Sequence, residues 1–330
     1  IMKAFEYAEP RTEAEALEML ADEAMKTEVL AGGTDLVGLM KKILVTPDRV
    51  VNIMEVPSLQ VIEPQEDGTL VIGAAVTLDE VLAHPYLENY PAISDAILGI
   101  NSMQLQSQGT LVGELCQRPR CWFFRNGQEL LDRQGHVSEG DNRFHAIMGN
   151  SGPAKFVSSS RIGPALIAVD AQLRVIGPAT DEEQWVSAAD FFVTPRHEEQ
   201  RETVLLPGQL VTHVLLPALD NRYNATYEVR HGEGPDDPLA AAAVSLTIEG
   251  GVVQQARVVL GQVAPTPWIS SAARDALVGR PVDHDTAEAA GQAAVAQATP
   301  LSQNGYKVDL AAVAVKRAVL RAAGIETGGF

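Results

Sequence analysis

Val29-Leu30-Ala31-Gly32-Gly33-Thr34-Asp35-Leu36 (VLAGGTDL) decides the reading of this chain. A short β-prone run beginning at Thr27 is stopped by two glycines. A helix then opens at Thr34 or Asp35, either of which can act as its N-cap, and it closes on Lys41 and Lys42. Backbone amides at such a turn, and at the start of a helix, suit a phosphate. The bland alternative is a plain strand-to-helix turn. No Gly-Lys-Ser/Thr follows, so the stretch is not a Walker A loop, and it is not GxGxxG either.

Upstream, Thr12 and Glu15 form a capping box, and Leu17, Leu20 and Ala24 keep helical spacing. Downstream, RVVNI (Arg49 to Ile53) reads as a second strand. Residues 1–55 therefore read helix–strand–helix–strand, and strands joined by a crossover are expected to be parallel. LQVIEPQEDGTLVIGAAV reads as a hairpin turning at Asp67-Gly68. Thr77 and Glu80 start another helix, and a further helix should run from about Pro91 to Ile100. The stretch from Gln106 to about Ser160 is long for a loop, which points to function rather than packing. PALIAVDAQLRVIGP and VLLPGQLVTHVLLP read as strand-forming runs. Beyond a boundary near Pro217 the character changes to a hairpin with Gly250-Gly251 at its tip and three helices. That is an α+β unit, a three-stranded antiparallel sheet with helices on one side.

Composition bounds the function. The chain has 330 residues, 46% of them apolar, and a formal charge of −18, so general nucleic-acid binding and anionic membranes are poor fits. The longest apolar run, Leu239 to Ile248, is too short to span a bilayer. No signal-peptide h-region is read at the start, which leads to the expectation of a cytoplasmic protein. The two cysteines, Cys116 and Cys121, cannot build a disulfide framework or supply four ligands to a metal centre.

A second glycine-bearing stretch, GTLVGELCQRPRCWFFRNG, holds Gly109, Thr110, Gly113 and Glu114, which can cradle another phosphate or a ribityl chain. Arg118, Arg120 and Arg125 stand out in so acidic a chain, and a salt-bridge patch toward a partner protein is favoured for them over cofactor contact.

Taken in order, VLAGGTDL, GTLVGELCQRPRCWFFRNG, GDNRFHAIMGN, PALIAVDA, ADFFVTPRHEEQRETVLLPGQLVTHVLLP, DDPLAAAAV and YKVDLAAVAVKRAVL resemble the flavin (medium) subunit of the molybdenum hydroxylases. This is the xanthine dehydrogenase, aldehyde oxidoreductase and carbon monoxide dehydrogenase family. The resemblance runs from about Lys3 to Ala323. It implies an α+β fold: an FAD-binding domain of the p-cresol methylhydroxylase (PCMH) type over 1–217, with lobes of about 1–55 and 56–217, and a C-terminal α+β domain over 218–330.

It also implies bound FAD. Val29 to Leu36 would wrap the pyrophosphate, Gly109, Thr110, Gly113 and Glu114 would form the second loop, and Ser160 and Arg161 would match the family's Ser-Asp pair beside the cofactor. The two bends are expected to grip the phosphates between them. The implied partners are a large subunit with the molybdenum cofactor and a small subunit with two 2Fe–2S clusters. Electrons would pass from those clusters through FAD to an external acceptor, and no side chain of this chain is singled out as catalytic or as a metal ligand. A periplasmic location stays open if a partner carries an export signal.

The chain departs from the family where Val112-Gly113-Glu114 replaces Gly-Gly-Asn, where Gln106 replaces a common arginine, and where Arg161 replaces aspartate. A positive φ at Val112 would carry a strain of roughly 1–3 kcal/mol. Glu114 at about 4 Å from a phosphate would be repelled by roughly 1–4 kcal/mol, which Arg161 could offset by pairing with it or with the phosphate. These departures motivate the alternative of a scaffold subunit that has lost tight FAD binding. Some relatives hold an extra 4Fe–4S cluster on a four-cysteine insert. Here Cys121 stands at its first position and no later cysteine follows.

Overall fold

The computed structural model describes residues 2–179, 181–232 and 234–328. Its first sheet is parallel and ordered β1-β3-β2, with β1 Glu6–Ala8, β2 Thr27–Leu30 and β3 Arg49–Asn52. The expected crossover joins β2 to β3 through the helix Leu36–Lys41. Strand β1 was not foreseen. Three residues carry no readable alternation, and β1 exists by pairing with β3, across which Arg49 binds Glu6 at 2.9 Å. Thr12 caps the helix Glu13–Leu20 as predicted, accepting from the Glu15 amide at 3.1 Å. Glu15 reaches back to the Arg11 amide (2.6 Å), one residue further than a standard capping box. The box at Thr77 and Glu80 forms in full.

The second sheet is antiparallel and ordered β4-β5-β8-β6-β7: β4 Ile62–Pro64, β5 Leu70–Gly73, β6 Gln172–Ile176, β7 Glu183–Ser187 and β8 Leu210–Leu216. The Asp67-Gly68 hairpin and the helix Pro91–Gly99 stand where expected. One run was misread. The stretch from Gly163 to Ala168 is a fully buried helix, and the strand begins only at Gln172, after Asp170 turns the chain with φ 62°. Pro164 suits the first helical turn, and a short all-apolar run does not distinguish a buried helix from a buried strand.

The third sheet, ordered β12-β11-β10-β9, comprises β9 Arg222–Val229, β10 Ala240–Glu249, β11 Val252–Gly261 and β12 Trp268–Ile269. It has four strands rather than three, because the two-residue β12 pairs with Val259 and Leu260. Gly250 and Gly251 take φ 58° and 79°, the two positive values that a tight hairpin turn needs. The helices Ser271–Leu277, His284–Val295 and Tyr306–Ala322 cover the face that carries Val244, Leu246, Val258 and Leu260. The opposite face sends Ala243 and Val259 into the core of the five-stranded sheet.

The stretch from Gln106 to Ser160 is not one long loop. It holds the short helices Leu111–Leu115, Trp122–Arg125 and His136–Glu139. Its end is locked to the C-terminal helices: the buried Lys307 ammonium donates to the carbonyls of Phe144 (3.1 Å), His145 (3.1 Å) and Gln262 (2.7 Å). Asn304 donates to the carbonyls of His145 and Ala146. Among the described residues no helix is long and apolar enough to cross a membrane.

Candidate functional site

The turn after β2 leaves its amides unclaimed. Among the described residues, the backbone N–H groups of Gly32, Gly33, Thr34 and Asp35 donate to no backbone or side-chain oxygen. Gly33 has φ 71°, and these residues are half-buried except Thr34, which is exposed. Successive amides without an internal partner, at the mouth of a helix, form a concavity that an anion completes.

Asp35 is not a side-chain cap, as the sequence suggested it could be. Its carboxylate accepts from the Arg118 amide at 2.9 Å and pairs with Arg125 at 2.8 Å. The turn is thereby tied to the segment carrying the basic cluster, and a charge that would oppose an anion is matched. Arg125 also donates to the carbonyls of Pro119 and Arg118. Arg118 pairs with Glu202 at 2.9 Å and lies over the Phe124 ring. Arg118 and Arg125 are therefore internal braces, not the outward patch that composition suggested.

The two glycine-bearing bends do not stand apart as opposed jaws. A Cβ added to Gly32 would lie 1.5 Å from the Gln108 carbonyl oxygen, so backbone meets backbone there. One built on Gly109 would lie 3.7 Å from Thr34 Oγ1, and one on Gly113 would lie 3.9 Å from the Ala31 Cβ. The bends form one continuous surface with the free amides along it. Val112 is buried in the helix Leu111–Leu115 and is not among the residues of positive φ, so the anticipated strain is absent. Thr110 caps that helix through the Gly113 amide (3.1 Å). Gln106 spends its carboxamide on the carbonyls of Ile97 and Ile100.

Glu114 points inward. Its carboxylate accepts from Ser160 Oγ (2.6 Å), the Arg161 amide (2.6 Å) and the Ile162 amide (3.4 Å), at 5% exposure. Burial pushes its carboxyl above the ordinary range, against the pull of those donors. Ser160 Oγ in turn accepts from the Gly163 amide at 2.9 Å. Glu114 therefore staples the second bend to the start of the next helix. The Arg161 guanidinium turns away from it. It pairs with Glu228 through contacts of 2.5 and 3.0 Å and donates to the Gly99 carbonyl at 2.5 Å. Arg161 thus offsets Glu114 at a distance while its fork is spent on Glu228.

The three segments singled out from the sequence adjoin one another: Gly32 of the first abuts Gln108 beside the second, and Glu114 of the second accepts from Ser160 and Arg161 of the third. Their acidic partners Glu202 and Glu228 were missed, because each lies far along the sequence from its arginine. The only available signal was that a buried arginine needs an acid.

Cys121 Sγ lies 3.2 Å from His145 Nε2, packed by Trp122 and Phe123. Burial pushes the Cys121 thiol up. Burial, and then the nearby Lys307 charge, bring His145 down to about 4, so the pair is neutral at pH 7. Burial raises the Cys116 thiol to about 12. Trp122 donates to the Asp141 carbonyl and packs against Phe144, which makes it a loop brace.

The family profile described as "FAD binding domain in molybdopterin dehydrogenase" matches residues 3–219, and "CO dehydrogenase flavoprotein C-terminal domain" matches residues 225–322. The chain is 32% identical to the aldehyde oxidoreductase FAD-binding subunit PaoB of Escherichia coli, covering 94% of this chain and 95% of that one. It is 26% identical to the carbon monoxide dehydrogenase medium chain of Hydrogenophaga pseudoflava, with 96% of each covered. Among solved structures it is similar to a carbon monoxide dehydrogenase from Hydrogenophaga pseudoflava that lacks the Mo-pyranopterin moiety of the molybdenum cofactor. The TM-score is 0.76 at 26% identity, with 98% of this chain and 99% of that one covered.

Proposed function

The chain belongs to the FAD-binding subunit family of the molybdopterin dehydrogenases, and from that premise we propose that it carries FAD within a multi-subunit molybdenum hydroxylase. Its task there is to take electrons from the 2Fe–2S clusters of a small subunit and deliver them to an external acceptor, while a large subunit holds the molybdenum cofactor. The relatives are named as medium chains and FAD-binding subunits, which supports a place beside other chains. We divide the chain at about residue 217 into an FAD-binding part and a C-terminal part.

The observation that carries the reading is the run of unclaimed amides from Gly32 to Asp35 beside the Asp35–Arg125 pair. A hydrogen bond to a charged acceptor contributes about 1.5–3 kcal/mol, so a few of these amides can hold a pyrophosphate without a dedicated lysine. Val29 to Leu36 would line the pyrophosphate, and Gly109, Thr110 and Gly113 would extend that surface. Glu114, Ser160 and Arg161 would act from behind by fixing the second bend. When bound, flavin supplies the redox chemistry. The residues of this chain bind and orient it, and Glu114, turned inward onto three donors, keeps its charge off the phosphate-facing side.

One observation favours the alternative of a scaffold subunit without tightly bound flavin: the backbone contact of Gly32 with Gln108, which closes the space between the bends. Purification of the complex from its native host separates the two. The FAD reading expects yellow protein with flavin in proportion to this chain, together with a molybdenum-bearing and an iron–sulfur chain identified by mass spectrometry. A colourless complex of intact stoichiometry would establish the scaffold instead.

A further inference from the structure

At the C-terminal end of the helix Gly163–Ala168, a recess of about 90 Å³ opens between Asp170 and the four-stranded sheet. The strand register explains its lining. Thr247 of β10 lies opposite Arg222 of β9 and Gln255 of β11, and Ser245 lies opposite Arg257. Residues directly opposite one another, or two apart, share a face, so these five side chains belong to one polar patch. Further along the same face, Ala243 and Val259 are packed into the core.

The charges are unequal. The Asp170 carboxylate is divided between Arg222 (2.9 Å) and Arg257 (2.8 Å), each using Nη1. Arg257 Nη1 also reaches the Ile167 carbonyl at 3.4 Å. Among the described residues, Nε and Nη2 of both guanidiniums make no hydrogen bond, and neither do the hydroxyls of Ser245 and Thr247 or the Gln255 carboxamide. Ser245 is 5% exposed as a residue, and its hydroxyl, which has no protein partner, is not sealed from the recess that it lines. The recess therefore holds an excess of donors and one net positive charge, in a chain whose formal charge is −18. The sole carboxylate is already engaged. What would complete such a site is a compact acceptor with negative charge. Guanidinium forks match oxyanions in geometry, and the volume excludes a nucleotide.

We propose that this recess binds a phosphate-sized oxyanion. The ion would take the free forks of Arg222 and Arg257 and the hydroxyls of Ser245 and Thr247. It would tie the C-terminal sheet to the helix whose other end carries Ser160 and Arg161. The site does not depend on the flavin reading.

The test uses the full chain and inorganic phosphate, with chloride at equal ionic strength as the reference. Phosphorus NMR line broadening should give saturable binding, and phosphate should raise the melting temperature above chloride. Arg222→Gln together with Arg257→Gln should weaken phosphate binding by about tenfold or more and abolish the phosphate-specific rise. Ser245→Ala with Thr247→Val, which leaves every charge in place, should weaken binding by a smaller factor and decides the matter if the arginine variant does not fold. Absence of saturable binding to the wild-type chain would overturn the proposal and leave water in the recess, as would equal binding by wild type and the hydroxyl-free variant.

Discussion

Arg161→Met is the sharpest perturbation of the site's architecture. The Arg161 and Glu228 side chains are 5% and 6% exposed, so the substitution strands a carboxylate in a place water hardly reaches. Breaking a buried pair by removing one partner costs about 3–5 kcal/mol. Two features move this case toward the lower end. Arg230 lies 4.0 Å from the same carboxylate, and its Nη1 still donates to the Gly99 carbonyl at 3.0 Å. The expected loss is therefore about 3 kcal/mol, read as a fall in the urea midpoint of the full chain. Replacing both members, Arg161→Met with Glu228→Met, removes the stranded charge and should restore most of that stability, because apolar replacement of a whole buried pair is often neutral or better. Should Arg161→Met lower flavin affinity sharply while leaving the urea midpoint in place, the guanidinium serves the cofactor and not Glu228, and the reasoning fails.

Other perturbations address the remaining parts of the account. Gly32→Ala drives a methyl to 1.5 Å from the Gln108 carbonyl oxygen, so the bends must part. Overpacking of this kind costs about 1–3 kcal/mol or more, and a urea midpoint unchanged from wild type would show that the contact is loose. Asp35→Asn removes the charge that binds Arg125 at 2.8 Å and the Arg118 amide at 2.9 Å. It should cost about 1–3 kcal/mol in chemical denaturation, and no loss would show that the first bend is not held by this clamp. His145 has a folded value of about 4 against the usual 6.5, so its contribution is fully present above pH 6.5 and is lost as the pH falls through about 4. The difference corresponds to about 3 kcal/mol. An NMR titration placing the His145 midpoint at the ordinary histidine value would contradict the burial argument.

Much of this was legible in the sequence because it rests on local chemistry. The Thr77–Glu80 capping box, the Gly250-Gly251 hairpin and the parallel pairing of β2 with β3 follow from short-range rules. The glycine turn at Gly32-Gly33 was legible too, as were the three C-terminal helices. What escaped depends on partners distant in the chain. β1 and β12 exist only through pairing, and Gly163–Ala168 carries a continuous apolar run whose conformation is decided by what surrounds it. At the site, the inward turn of Glu114 and the diversion of Arg161 to Glu228 are tertiary choices. A lone carboxylate beside a glycine turn suggested repulsion, whereas in the fold three donors from residues 160–162 claim it.

The claim that the amides of the Gly32–Asp35 turn await a dinucleotide is tested most directly by titrating the full chain with FAD and following quenching of flavin fluorescence at equilibrium. Saturation is expected at one FAD per chain, with ADP competing because it carries the same pyrophosphate, and with Gly32→Ala weakening the binding of both. Flavin fluorescence that stays at its free value through a large excess of protein would contradict that claim.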